Sequence, residues 1–136
     1  MELLEGGSLM NKAFILLCMI FCHIVDDYYL QGWLSQAKQK KYWKDNAPDK
    51  MYKYDYIWAL MMHGFSWTFM IMLPIAVAMN FNITYIYVIL FINNVLGHAI
   101  IDNAKANNKC INLIQDQTMH MIQIILTFID LVIAKR

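Results

Sequence analysis

"YIWALMMHGFSWTFMIMLPIAVAM", residues 56 to 79, decides the fold. No Asp, Glu, Lys or Arg interrupts it. A helix needs roughly 20 predominantly apolar residues to cross a bilayer core, and this stretch meets that length. Pro74 lies inside it, a defect that membrane helices tolerate. A second such stretch follows at residues 81 to 101, "FNITYIYVILFINNVLGHAII". "MNFN", residues 79 to 82, leaves room only for a tight connection between the two.

Working outward, two shorter apolar runs flank this pair. One begins at Ala13 and ends near Gln31; the other runs from about Gln115 to Ala134. Each has only about thirteen apolar residues, short for a span unless its charged end lies in a protein-lined, wetted cavity. The composition agrees with a membrane protein. Hydrophobic residues make up 60% of the 136 and charged residues 15%, against about half and about a quarter in globular domains. The expected fold is therefore all-α: a bundle of four transmembrane helices, about 13–31, 55–79, 81–106 and 115–134. A basic loop, about 32–54, joins the first two, and residues 1–136 form one membrane domain. A soluble helical protein is the less favoured alternative. The acidic start, "MELLEGGSLMNK", is followed by no A-x-A-like site, so no signal peptide is expected. Cys18, Cys22 and Cys110 form no CxxC pair and read as small buried thiols.

The polar groups are not scattered. Let the end of the first helix define one side of the bundle. Up-and-down threading then brings His23, His63, His98 and His120, all four histidines of the chain, toward that side. Each lies within about eight residues of its helix end, or roughly 12 Å at 1.5 Å per residue. His23, Asp27 and Gln31 are spaced i, i+4, i+8, and so are Asn94, His98 and Asp102. Asp116 and His120 repeat the i, i+4 step in reverse order. Residues at that spacing share a helix face. An imidazole and a carboxylate one turn apart can bind one metal ion, or one can orient the other. Gly64 beside His63 and Gly97 beside His98 permit close helix approach.

The metal candidates are His23, Asp27, His63, His98, Asp102, Asp116 and His120. They exceed what one tetrahedral ion can use, so one or two divalent ions are expected, with the surplus acting as base or support. Mixed N/O ligation suits Zn, Mn or Fe and does not choose among them. Asp26 sits beside Asp27; the i±4 spacing favours Asp27 as the inward carboxylate. Asp116, His120, Gln123, Thr127 and Asp130 form a polar stripe along the last helix. It reads as interhelical hydrogen bonding or as a path for an ion.

The loop side carries Lys38, Lys40, Lys41, Lys44, Lys50, Lys53, Lys105 and Lys109, the other side Lys12, Lys135 and Arg136. The positive-inside rule then puts the polar centre toward the cytoplasm and both termini outside. Trp33, Tyr42, Trp43, Tyr52, Tyr54 and Tyr56 fit an interfacial belt. The loop lysines would also attract anionic lipid head groups. A net charge of +1 gives no pull toward nucleic acid, which is not an expected partner. The oligomeric state stays open, a homo-oligomer included.

"HIVDDYYLQ", "GHAIIDNAK" and "DQTMH" resemble the signatures HxxxDxxLQ, HxxxDxxK and DQxxH, with His63 between the first and second. This set is similar to that of a family of small bacterial and phage membrane proteins of unknown function. It is more distantly similar to bacterial inner-membrane proteins labelled metal-dependent hydrolases. The resemblance marks His23, Asp27, Gln31, His63, His98, Asp102, Lys105, Asp116, Gln117 and His120, and implies a metal-centred site.

Three functions follow as expectations. The first is a membrane metal-dependent hydrolase, in which a metal-activated water attacks a lipid or lipid-linked ester or phosphoester at the cytoplasmic leaflet. One of Asp27, Asp102 and Asp116 is then the general base, Gln31 and Gln117 orient ligands, Lys105 neutralises a phosphate, and Asp26 and Asn94 lend support. The second is divalent-metal or proton-coupled transport along the stripe to Asp130. The third is a non-catalytic phage or bacterial membrane interaction protein with a structural metal site.

Overall fold

The computed structural model describes residues 9 to 133. Residues 1 to 8 and 134 to 136 lie outside the described residues, and with them the expectation about the termini. Helix α1 is Leu9–Val25 and runs on into a π-helical turn, Asp26–Leu30. Two short helices follow, α2 (Leu34–Ala37) and α3 (Lys40–Asn46), then α4 (Asp55–Ala78). Helix α5 is Tyr85–Asn103 with a π-helical end, Ala104–Asn108. Helix α6 is Leu113–Phe128, and it too ends in a π-helical turn, Ile129–Ile133.

Among the described residues, four helices are long and apolar enough to cross a membrane: Leu9–Leu30, Lys50–Ala78, Tyr85–Asn108 and Leu113–Ile133. The shortest has 21 residues, or roughly 30 Å at 1.5 Å each. The first span gains its length at its start, four residues before the first residue of the apolar run. Helix α4 continues through Pro74. It is the central helix, packing most heavily against α5 and α1, while α6 closes the bundle against both.

The bundle has two levels. Away from the loops, Met19, Trp67, Ile71, Met72, Ile75 and Ile124 fill an apolar core with no exposure. Outside it, Phe14, Leu17, Phe21, Phe65, Phe69, Ile89, Ile92, Ile122 and Leu126 all face outward. An outer shell this apolar suits lipid as solvent. Gly64 sets the closest approach: a Cβ there would lie 2.8 Å from the carbonyl oxygen of Val95, so α4 and α5 meet backbone to backbone. At the far end the "MNFN" connection closes tightly. Asn80 and Phe81 both adopt φ above +50°, and the Phe81 N–H donates back to the Ala76 carbonyl at 2.8 Å. A left-handed phenylalanine is a strained conformation.

The basic loop is more than a solvated connection. Trp33, Tyr42, Trp43 and Tyr52 pack edge to face or stacked on one another. The Trp43 indole donates to the Ala37 carbonyl at 2.7 Å, and Ala37 and Lys38 are buried. Helix α2 thus folds back onto α4 as a cap over one end of the bundle. The cysteine expectation is corrected in part: Cys18 and Cys22 are half-buried, and Cys110 is exposed in the short α5–α6 connection, where no helix packs over it.

Candidate metal centre

Beneath this cap the four long helices bring their histidines together. His98 lies at the centre. Its ring stacks on His120 at 4.2 Å and on Trp67 at 4.3 Å, and meets His63 edge-on at 4.9 Å. His23 lies 5.9 Å from His120. All four are essentially buried. The i, i+4 pairs expected from the sequence point into one space because each sits on the inner face of its own helix, at the same depth.

Four carboxylates join them. His63 Nε2 lies 3.2 Å from Asp27 Oδ1 and 3.4 Å from Asp102 Oδ2. His120 Nε2 lies 3.5 Å from both Asp102 Oδ1 and Asp116 Oδ1. Asp26 also turns inward. It accepts from the Ser66 hydroxyl at 2.6 Å and approaches His63 Nδ1 at 3.7 Å. The sequence spacing favoured Asp27 alone, yet Asp26 is the more buried of the two. Asp26 and Asp27 are i+3 and i+4 from His23, so both flank its face, and both lie in the π-helical turn Asp26–Leu30.

Two lysines cap the carboxylates. Lys38, from the loop, donates to Asp102 Oδ2 at 2.5 Å and is buried. Lys105 donates to Asp116 Oδ2. Four carboxylates against two ammonium groups leave a formal charge of minus two around neutral imidazoles.

The hydrogen bonds divide the histidines into two kinds. Trp67 Nε1–H donates to His23 Nδ1 at 2.7 Å. His23 must then carry its proton on Nε2, which donates to Gln117 Oε1 at 3.0 Å. With both nitrogens occupied, His23 has no lone pair for a metal. It supports the centre and is not a ligand in this geometry. His120 is the opposite case. Its Nδ1–H faces Gln123 Oε1 at 3.3 Å, and its Nε2, without a hydrogen-bond partner, points at two carboxylate oxygens. Neither nitrogen of His98 has a hydrogen-bond partner. Among the described residues, the buried side-chain polar atoms without partners all belong to this cluster except Thr68 Oγ1. Buried polar atoms are normally satisfied.

Two groups have the geometry to hold an ion: Asp27, His63 and His98; and His98, Asp102 and His120, with His98 common to both. Tetrahedral ligands with bonds of about 2.1 Å lie roughly 3.4 Å apart. The separations of 3.2 to 3.5 Å between His63, His120 and their carboxylates match that edge.

Gln31 and Gln117 hold the carboxylates. Gln117 Nε2 donates to Asp27 Oδ2 at 2.9 Å and Asp116 Oδ2 at 3.1 Å. Gln31 Nε2 reaches Asp27 Oδ1 at 3.3 Å and His63 Nε2 at 3.0 Å. Asn94 lies apart from the cluster. It donates to Thr127 Oγ1 at 2.7 Å, and only its backbone carbonyl approaches the centre, 3.5 Å from Gln123 Nε2. Asp130 is exposed and outside the polar centre. Lys38, Ser66 and Trp67 were not singled out from the sequence. Ser66 and Trp67 are i+3 and i+4 from His63 and share its face; Lys38 looks like any other loop lysine.

A cavity of about 360 Å³ opens above the cluster, lined by Asp27, Gln31, Lys38, Lys105 and Gln117 among others. No curated protein and no solved structure matches the chain. A family model described as protein of unknown function (DUF3307) matches residues 15–135, every residue of the buried cluster included, and the chain belongs to that family.

Proposed function

We propose that this protein is an integral membrane metal-dependent hydrolase acting on a lipid or lipid-linked ester or phosphoester. One observation carries the reading. His120 Nε2 faces Asp102 Oδ1 and Asp116 Oδ1 at 3.5 Å each, and His120 Nε2 and Asp116 Oδ1 have no hydrogen-bond partner. With His120 neutral and its proton on Nδ1 these are three acceptors, which repel one another in a buried site unless a cation lies between them. A single divalent ion also balances the formal charge of minus two. The donors are nitrogen and oxygen without thiolate, which suits Zn, Mn or Fe. One or two ions fit, since His98 belongs to both three-residue groups.

A divalent ion bound here supplies Lewis acidity and an activated water near neutral pH. The chain's own residues do the rest. Asp27 is the carboxylate that borders the cavity while also facing the cluster, which favours it as the general base. It takes the proton of the attacking water as the new O–P or O–C bond forms. It returns that proton to the leaving alkoxide as the ester bond breaks. Gln31 and Gln117 hold its two oxygens in place. The cap formed by α2 limits water in the site, which strengthens each of these interactions. The lysine-rich loop side supports a cytoplasmic setting by the positive-inside rule. Transport has weaker support: the polar stripe ends at the Asn94–Thr127 pair, and Asp130 lies outside it.

The test is metal analysis of detergent-purified protein after supplementation with Zn, Mn or Fe, alongside hydrolysis of short-chain phospholipid and carboxyl-ester substrates. The wild type should hold stoichiometric metal and hydrolyse one class only when loaded; His98→Ala should do neither. Wild-type protein without stoichiometric metal overturns the metal reading. Loaded protein inert toward both classes overturns the hydrolase reading alone.

A further inference from the structure

The cavity above the cluster has a chemistry of its own. Lys38 and Lys105 both line it, one from the loop cap and one from the end of α5. Each ammonium has three donors. Lys38 uses one on Asp102 Oδ2 and Lys105 one on Asp116 Oδ2. Two donors on each are left for a ligand. The amide nitrogens of Gln31 and Gln117 are already committed to the carboxylates and His63. Lys38 and Lys105 are the cationic donors of this cavity.

We infer that this cavity is a phosphate subsite, in which Lys38 and Lys105 grip the non-bridging oxygens of a phosphoester directly above the buried His/Asp cluster. This rests on the hydrolase reading and narrows its substrate class to phosphoesters. A carboxyl ester has no anionic oxygen for two ammonium groups to meet, whereas a phosphoester carries at least one. Lysine is an established phosphate binder, acting as a point charge. The volume of about 360 Å³ falls at the lower end for ligand sites and suits a head group rather than a whole lipid. The rim supplies the complement: Tyr28 and Leu113 line the cavity and are each 58% exposed on the outside of the bundle. An acyl or prenyl chain can lie against them while the phosphate points inward.

The experiment is equilibrium binding of inorganic phosphate to the full-length protein in neutral detergent, metal-loaded and metal-stripped. It compares wild type, Lys38→Gln, Lys105→Gln, the double variant and the exposed-loop control Lys50→Gln. Charge-assisted bonds are the strong ones, so, at matched metal occupancy, each single change should weaken phosphate by about tenfold and the double by more, with Lys50→Gln unchanged. Double-variant binding equal to wild type overturns the subsite, as does an equal loss in Lys50→Gln, which would mark general surface charge. If the protein holds no metal yet phosphate binding still needs both lysines, the subsite stands and the hydrolase reading falls. If metal is held but phosphate binding ignores the lysines, the subsite falls alone. Dihexanoyl phosphatidic acid separates the sources: affinity at least about tenfold above phosphate marks a lipid head group, and equal affinity marks a free phosphate or soluble ester. Both results retain the subsite.

Discussion

Trp67 donates its indole N–H to His23 Nδ1 at 2.7 Å, and this bond determines which proton His23 carries. The proton goes to Nε2 and on to the carbonyl of Gln117. The Gln117 amide is thereby oriented with its N–H₂ toward Asp27 and Asp116. An indole on the central helix thus orients two carboxylates on two other elements through two intermediaries. Such outer partners of a metal site typically matter by 10–100-fold in affinity, an order-of-magnitude guide.

Trp67→Phe tests that relay while keeping an aromatic ring at the position. The ring stacked on His98 at 4.3 Å is largely kept and the donor is lost. Metal affinity, measured by competition with a chelator, should fall by about 10–100-fold while helical content stays at wild type. His23→Ala should fall in the same range. Wild-type affinity in Trp67→Phe would falsify the relay.

His98 and His23 should differ sharply. His98 belongs to both ligand groups, whereas both nitrogens of His23 are hydrogen-bonded. Replacing His98 by alanine should abolish stoichiometric metal. His63→Ala and His120→Ala each disturb only one group and should retain more metal than His98→Ala. Metal-to-protein ratios by elemental mass spectrometry read this directly. The shared-ligand geometry is wrong if His98→Ala keeps as much metal as His63→Ala.

The two glycines beside histidines should not behave alike. A Cβ on Gly64 meets backbone, the Val95 carbonyl oxygen at 2.8 Å, whereas one on Gly97 meets the end of the Gln123 side chain at 2.6 Å. Gly64→Ala must push α4 and α5 apart, an overpacking cost of about 1–3 kcal/mol. Gly97→Ala needs only Gln123 to swing away. That frees His120 Nδ1 and should weaken metal more than stability. Thermal melts set beside metal titrations distinguish the two; equal melting losses would contradict the contrast.

Much of this site is legible in the residues because its logic is helical. An i, i+4 pair such as His98 and Asp102 needs only a helix to share a face, and an alternating bundle then sets the depth. Asp26 shows where that logic stops short: i+3 from His23, it flanks the same face as Asp27, and the i±4 spacing to His23 and Gln31 that favours Asp27 gives no reason to take both. Lys38 fails for a different reason. Its partner Asp102 is 64 positions away, and nothing in a run of loop lysines separates the one that turns inward. Asn94 errs in the other direction, since its i−4 spacing from His98 is satisfied by a bond to Thr127, one turn below the centre.

Asn107 is the hinge pin of the cap. Its Nδ2 donates to the Lys38 carbonyl at 2.9 Å, and its Oδ1 accepts from the Lys40 N–H at 2.7 Å. It thereby clamps the α2–α3 junction to the end of α5 from both sides. The same Nδ2 is anchored to Asn103 Oδ1 at 2.9 Å. Removing the amide in Asn107→Ala releases both backbone groups but leaves the aromatic packing of Trp33, Tyr42 and Trp43 in place. Two hydrogen bonds at about 1 kcal/mol each open the cap roughly thirtyfold more often without unfolding the spans. Lys40 and Lys41 lie at this junction and are exposed, so limited trypsin digestion reports it. Cleavage there should accelerate by about that factor while thermal stability of the bundle stays near wild type. Asn107→Asp keeps an acceptor for the Lys40 N–H but loses the donor to Lys38, and should fall between. If Asn107→Ala is cut no faster than wild type, the cap is held by its aromatic packing and the Lys38–Asp102 pair instead.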